Sequence, residues 1–257
     1  MKKLTLALLA AFSLSALAAP FKVGSMSGQE SDLVHTAAKI AKEKFGLEVE
    51  VIEFDDYVAP NVALADGSID ANAFQHRPYL DAMVQDRGLD LVAVANTFVY
   101  PIGGYSKKIK SIDELKDGDS IALPSDPSNG ARALILLHKK GYIELKDVNN
   151  LQASVLDIAK NPRNFKFQEI EAAQIPNVLP DVDLAFINSN FAVNADLIPT
   201  RDALIVEETD SPYVNIIAVR KADAEREEVK QFIQAYQTPE VEASAEKVFK
   251  GAAVKGW

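Results

Sequence analysis

The stretch Asp70-Ala71-Asn72-Ala73-Phe74-Gln75-His76-Arg77-Pro78-Tyr79-Leu80 gathers Phe74, His76 and Tyr79 within one short span. On an extended backbone alternate side chains face opposite ways, so Phe74 and His76 share one side and Gln75 takes the other. Pro78 then turns the chain into a helix and brings Tyr79 close behind. Rings collected at a strand's end make a wall suited to an apolar ligand tail with a polar edge. A structural reading competes, with Phe74 in the core and His76 a hydrogen-bonded framework residue. Farther on, Asp126-Pro127-Ser128-Asn129-Gly130-Ala131-Arg132 feeds a helix N-terminus, where free N–H groups and the helix dipole attract an anion. The planar Arg132 guanidinium can grip a carboxylate through two parallel hydrogen bonds, or pair with a neighbouring acid at the surface. Asn188 and Asn190 follow an apolar run, and Asn215 lies inside another. An amide there must find partners or cost about 1–3 kcal/mol. Its carbonyl can accept from an ammonium and its NH₂ can donate to a carboxylate, although both groups can equally tie loops together. A carboxylate grip, amides of both polarities and an aromatic wall suit a small zwitterion.

The elements that must position these groups follow from periodicity. Residues 21–26, 48–54 and 69–74 read as strands. The helical pattern of 30–44 sets Leu33, Ala37, Ile40 and Ala41 on one face and stops at Gly46. A short helix over 61–66 begins behind Pro60, and another runs from Pro78 to Arg87. Strands are expected at 89–95 and 97–106. A second unit starts near Ser111, with a capping box at Ser111-Ile112-Asp113-Glu114 and a strand at 120–123. A helix over 128–140 closes at Gly141, and 150–156 and 167–170 supply short elements. Residues 183–187 and 213–219 are nearly continuous apolar strands, as expected where both faces are covered. The tail predicts two amphipathic helices, 225–236 and 239–249. This alternation gives an α/β fold. Two lobes joined by two crossovers, near 105–109 and 206–211, fit better than one sheet, so 19–108 plus 208–257 form the first lobe and 109–207 the second. An interlobe cleft results, where small-molecule sites usually form.

Much chemistry is excluded. The 257 residues hold 48% hydrophobic and 25% charged side chains, an ordinary globular composition. With 27 basic and 37 acidic residues the net charge is −10, which disfavours nucleic acid as a partner. There is no cysteine, so disulfides, thiolate catalysis and cysteine-bound metals are out. His35, His76 and His138 are too widely spaced to suggest a metal site. No phosphate-cradling glycine loop occurs. Gly24-Ser25-Met26-Ser27-Gly28 carries Met26 where a nucleophile elbow needs serine. Carboxylate pairs such as Asp55-Asp56 and Glu207-Glu208 are what an acidic surface produces by chance. No catalytic residue, cofactor or metal is expected, and the chain does not read as an enzyme.

Met1-Lys2-Lys3, the uncharged run 4–19 and the small-x-small Ala16-Leu17-Ala18 read as a secretory leader cleaved after Ala18. Removing Lys2 and Lys3 leaves 25 basic against 37 acidic residues, a net charge of −12. No later stretch is long and apolar enough for a membrane helix.

Several separated motifs occur together in order: DANAFQHRPYL, YPIGGYSKKIKSIDEL, DPSNGARAL, INSNFA, SPYVN and the terminal KGW. Across nearly the whole mature chain this resembles the NlpA lipoprotein family of methionine-binding proteins. The resemblance implies a two-lobe periplasmic-binding-protein fold. It further implies a substrate-binding protein that delivers L- or D-methionine to an ABC importer of permease and ATPase subunits. Such a protein acts as a monomer and meets the membrane only through the permease. Carried onto this sequence, it makes Arg132 the carboxylate clamp and Asn215 a polar anchor, helped by Asn188 and Asn190. The thioether would lie among Tyr57, Phe74, His76 and Tyr79. The alternative is the same fold tuned to a methionine-containing dipeptide or another apolar amino acid; a longer ligand would need Arg132 and the rings farther apart. The family's lipobox ends in cysteine, whereas Leu17-Ala18-Ala19-Pro20 sets proline there. On that ground a freely diffusing periplasmic protein without a lipid anchor is expected.

Overall fold

A computed structural model describes residues 19–257; the leader and its cleavage point after Ala18 lie outside the described residues. Local sequence dictates most elements. Strand β1 (Phe21–Met26) leads to helix α1 (Gln29–Phe45), which carries Glu30 and Asp32 in its first turn and Lys42 and Lys44 in its last. These signs complement the helix dipole, and Gly46 ends the helix in the left-handed conformation, φ 69°. There follow β2 (Val49–Phe54), α2 (Ala59–Ala65), β3 (Ala71–His76), α3 (Arg77–Arg87) and β4 (Leu91–Val99). The chain then changes sheets through β5 (Gly103–Tyr105), β6 (Ser120–Pro124), α4 (Pro127–Lys139), β7 (Glu144–Leu145), β8 (Ile158–Lys160) and β9 (Lys166–Ile170). Next come α5 (Ile175–Val178), β10 (Leu184–Ile187), α6 (Ser189–Asn194), α7 (Pro199–Asp202) and β11 (Ile205–Val206). The chain returns as β12 (Val214–Arg220), α8 (Glu227–Tyr236), α9 (Pro239–Val248) and β13 (Val254–Lys255).

The first sheet has the order β13-β4-β12-β3-β1-β2 and the second β11-β5-β10-β6-β9. In the first, β1 pairs in parallel with β2 and β3, while β12 lies antiparallel between β3 and β4. One face is covered by α1, α8 and α9 through Leu33, Val34, Phe232, Tyr236 and Phe249. The other is covered by α2 and α3 through Leu64 and Leu80. In the second sheet, Leu134 and Leu137 of α4 pack on Ile121, Leu123 and Phe186. A further cluster straddles both sheets, joining Met26, Phe74 and Tyr79 to Tyr105, Ile187 and Phe191.

Several elements differ from their sequence reading, and two of them bear on the site. β3 runs to His76 instead of Phe74, because Asn72 and Gln75 are held in a buried amide network with Asn61 of α2 (Asn61 Nδ2 to Gln75 Oε1 2.7 Å, Asn72 Nδ2 to Asn61 Oδ1 2.9 Å). The strand expected at 97–106 is two strands in different sheets, β4 and β5. Pro101, which lacks an N–H for a ladder, stands between them, so the first crossing falls at 100–102. The return lies at 207–213, between β11 and β12. Among the described residues no helix is long and apolar enough to cross a membrane.

Candidate functional site

A small cavity lies where the two sheets meet. All eight residues singled out from sequence line it: Tyr57, Phe74, His76, Tyr79, Arg132, Asn188, Asn190 and Asn215. β3 delivers Phe74 and His76, and α3 delivers Tyr79. In the ladder Asn215 of β12 is the partner of His76. Asn188 and Asn190 follow β10, and Arg132 sits one turn into α4.

The rings form a continuous wall. Tyr57 lies 6.0 Å from Phe74 and 5.9 Å from Tyr79 between centroids, and Phe74 meets Tyr79 edge-on at 6.1 Å. Phe191, missed in the sequence reading, adds a fourth face 5.0 Å from Tyr57. The Tyr57 hydroxyl donates to Asn190 Oδ1 (2.7 Å) and the Tyr79 hydroxyl to the Tyr57 carbonyl (2.9 Å). Each ring is thereby fixed by its polar end, with burial and neighbouring carboxylates raising both phenol pKa values.

His76 combines both of its sequence readings. It lines the cavity, and its Nδ1 accepts from the Tyr79 N–H (3.1 Å), capping α3. The ring hydrogen therefore sits on Nε2, facing Asn129 Oδ1 at 3.0 Å. Burial, then the Arg132 charge, pushes its pKa down to about 3. A depressed histidine supports the fold above about pH 6.5 and loses that support in acid, since the unfolded chain takes up a proton the folded one refuses. As pH falls from about 6.5 toward about 3, stability should shift toward a His76→Gln variant by up to about 1.4 kcal/mol per pH unit. Thermal melts of both proteins across that range test this; a pH-independent difference would contradict it.

Arg132 is buried, 3% exposed, and it also pairs with an acid. Its Nε bonds both oxygens of Glu207 (2.9 and 2.8 Å), and its Nη2 bonds Glu207 Oε2 and the Tyr100 carbonyl (2.8 Å). The guanidinium also lies over the Tyr213 ring at 4.8 Å. Among the described residues, Nη1 has no hydrogen-bond partner. Glu207, which looked like one more acid in a surface pair, thus balances and aims the one guanidinium of the cavity. Two steps, 4.8 Å to Tyr213 and 5.1 Å from Tyr213 to His76, connect this cation to the ring wall.

The helix that presents Arg132 is set by its own first turn. Asp126 caps α4 by accepting from the Asn129 N–H (2.9 Å). A Cβ on Gly130 would stand 2.8 Å from the Pro124 carbonyl oxygen, so only glycine fits this close approach. Burial raises the Asp126 pKa against the opposing pull of hydrogen bonds from Asn129 and Ser128. Asn129 Oδ1 also accepts from Asn188 Nδ2 (2.9 Å), which makes Asn129 a node between the sheets.

Glu30, in the first turn of α1, is the other residue the sequence reading passed over. It lines the cavity at 4% exposure, and burial raises its pKa well above the ordinary carboxylate value. Its Oε1 receives one long hydrogen bond from Asn215 Nδ2 (3.4 Å), whose shorter bond goes to the Phe74 carbonyl (2.9 Å). Among the described residues, Glu30 Oε2, Asn188 Oδ1 and Asn190 Nδ2 are buried without partners. Two acceptors and a donor, beside the unpartnered Arg132 Nη1, therefore line a single cavity.

The family model for the NlpA lipoprotein matches residues 21–257. The D-methionine-binding lipoprotein MetQ of Escherichia coli (strain K12) is 54% identical over 92% of this chain and 88% of its own length. A nutrient-binding protein of Burkholderia cenocepacia, solved bound to methionine, superposes with a TM-score of 0.90 at 50% identity, covering 92% of this chain and all of that one. An ABC-transporter periplasmic substrate-binding protein of Coxiella burnetii gives 0.89 at 48% identity, covering 91% and 99%. The fold is thus the two-lobe periplasmic-binding-protein type. The lipoprotein names correct one expectation: export agrees with them, but the lack of cysteine in this sequence does not exclude a lipid anchor, and free diffusion no longer follows. That expectation rested on the proline at the leader junction and the absence of cysteine from this sequence, neither of which says how proteins sharing the rest of the chain are held. From residue 21 to the terminal tryptophan, in fold and in sequence, this chain belongs to the NlpA lipoprotein family.

Proposed function

We propose that this protein is the substrate-binding component of an ABC importer and that it captures free methionine between two lobes. The carrying observation is the set of unpartnered polar atoms in the cavity. Glu30 Oε2 and Asn188 Oδ1 accept from an α-ammonium, while Arg132 Nη1 and Asn190 Nδ2 donate to an α-carboxylate. Glu30 Oε2, Asn188 Oδ1 and Asn190 Nδ2, buried and unpaired, each cost about 1–3 kcal/mol that a ligand recovers. Beyond the head group, Tyr57, Phe74, His76 and Tyr79 enclose the side chain, with Phe191 packed behind Tyr57, and sulfur beside aromatic edges gains about 0.3–1.5 kcal/mol per contact. The short path from Arg132 through Tyr213 to His76 favours one amino acid over a dipeptide. The methionine-bound relative and the transporter component described above support the same reading.

In this reading the lobes are approximately 19–99 with 214–257 and 103–206, the strand crossings at 100–102 and 207–213 acting as hinges, so the first boundary lies earlier than the 108/109 expected from sequence. The protein works as a monomer, hands methionine to a permease–ATPase pair and performs no catalysis of its own. Calorimetry against a panel of amino acids, on protein unfolded and refolded to remove carried-over ligand, should show methionine binding most tightly. Tighter binding of a methionine-containing dipeptide, or no binding at all, would overturn it. Asn215→Ala should weaken methionine at least about tenfold, about 1.4 kcal/mol, because the amide spaces Glu30 from the Phe74 carbonyl; unchanged affinity would remove Asn215 from the site.

A further inference from the structure

Glu30 presents a combination that the head-group reading alone does not explain. It is a carboxyl at 4% exposure, facing a ligand cavity, with no cation bonded to it among the described residues. Its one polar contact is the long bond from Asn215, and its Oε2 has none. The one nearby cation, Arg132, is already held by Glu207 through three contacts. A bare carboxylate in such surroundings is strongly disfavoured, so the group is neutral until a cation reaches it.

We propose that Glu30 makes the site demand an α-ammonium, and that it meets the ammonium by releasing a proton: protonated without ligand, it becomes a carboxylate paired with the bound cation. The carboxyl O–H bond breaks, the proton leaves to solvent, and the ligand keeps all three ammonium hydrogens. This rests on the amino-acid reading above and adds to it that capture is proton-coupled and that 2-hydroxy and 2-oxo acids are rejected.

The groups facing Glu30 do not provide that proton. Tyr57 before α2, Tyr100 after β4 and Tyr236 of α8 are all shifted upward by burial and stay neutral. His76 of β3 is already neutral above about pH 3, and Asn215 of β12 does not titrate. Asp126, also raised by burial, caps α4 and accepts hydrogen bonds from Ser128 and Asn129.

The test is methionine calorimetry at one pH in phosphate and in Tris, whose ionisation enthalpies differ. The wild type should show buffer-dependent enthalpies corresponding to release of up to one proton. Its affinity should fall as the medium is acidified, by up to about tenfold per pH unit. Glu30→Gln should lose most of the buffer dependence, which separates Glu30 from Asp126. The 2-hydroxy analogue of methionine should bind the wild type at least about tenfold more weakly than methionine does, and that gap should shrink in Glu30→Gln. Without ligand the variant should melt no lower than the wild type at neutral pH, because an amide is neutral at every pH and escapes the cost of holding a carboxyl protonated. Identical wild-type enthalpies in both buffers would overturn the proposal, even if the variant fails to fold. So would a folded variant that keeps the discrimination against the hydroxy acid. If the wild type binds no amino acid, the proposed function itself fails; if it binds methionine without releasing a proton, only this inference does.

Discussion

Arg132→Ala should reduce methionine affinity by about 2–5 kcal/mol, a loss of roughly 30-fold to several thousand-fold in calorimetry. The range is wide because the substitution does two things. It deletes the donor that faces the ligand carboxylate, and it leaves Glu207 without the guanidinium that neutralises it. Glu207 is largely buried, and its other side-chain partners are the Ser211 hydroxyl (3.1 Å) and, weakly, the Ile102 N–H (3.4 Å). An uncompensated carboxylate beside the second crossing should therefore lower the melting temperature too. The two effects separate in a double variant. Arg132→Ala with Glu207→Ala removes the stranded charge, so it should recover stability relative to Arg132→Ala and leave affinity lost. Arg132→Lys should not rescue binding, because a single ammonium cannot hold Glu207, the Tyr100 carbonyl and a ligand at the angles the planar fork provides. Near-wild-type affinity in the alanine variant would remove Arg132 from the head-group site.

The contrast between Arg132 and Glu207 shows which parts of the site could be read from sequence. Arg132 was visible because it follows a proline-glycine turn into a helix, a local pattern with local physical meaning. Glu207 was not, since its role arises from a residue 75 positions away and its neighbour Glu208 makes it resemble an acidic surface. In a chain with 37 acidic side chains, no single one stands out by composition. Glu30 hid differently, because an acid in a helix's first turn is ordinary dipole chemistry, and only the crossing of α1 over β3 and β12 shows that it faces a cavity. The fold was more legible, since β1, α1, β2, α3 and α4 follow from periodicity, caps and proline positions. The strand at 97–106 was misread because an apolar run does not record which sheet it joins. The length of β3 depended on an amide network whose members, Asn61, Asn72 and Gln75, lie on two elements. The lipid-anchor expectation rests on a proline at the leader junction and on the absence of cysteine, and proteins alike elsewhere need not agree at that junction.

Asn129→Ala should open the cleft and weaken methionine binding by about 2–6 kcal/mol, even though its Oδ1 is already taken up by protein donors. That oxygen receives the His76 Nε2–H from the first sheet and the Asn188 Nδ2–H from the second, while its own amide holds both oxygens of Asp126. Alanine leaves two buried donors unpaired, each costing about 1–3 kcal/mol when no water can reach it. The cheapest relief is to part the lobes and let water in. The cost thus falls on the closed form and leaves the open form nearly untouched, so a ligand that binds the closed form pays it as lost affinity. The backbone cap of α4 survives, since the Asn129 N–H still reaches Asp126; melting of the ligand-free protein should accordingly change little. Small-angle scattering should show a larger radius of gyration for the variant without ligand and convergence with the wild type at saturating methionine. Asn129→Asp, which keeps the acceptor but sets a second carboxylate against Asp126, should fare no better than alanine. A variant that stays closed and binds normally would show that the two lobes are held by the aromatic cluster around Phe74 and Phe191 alone, and not by this shared amide.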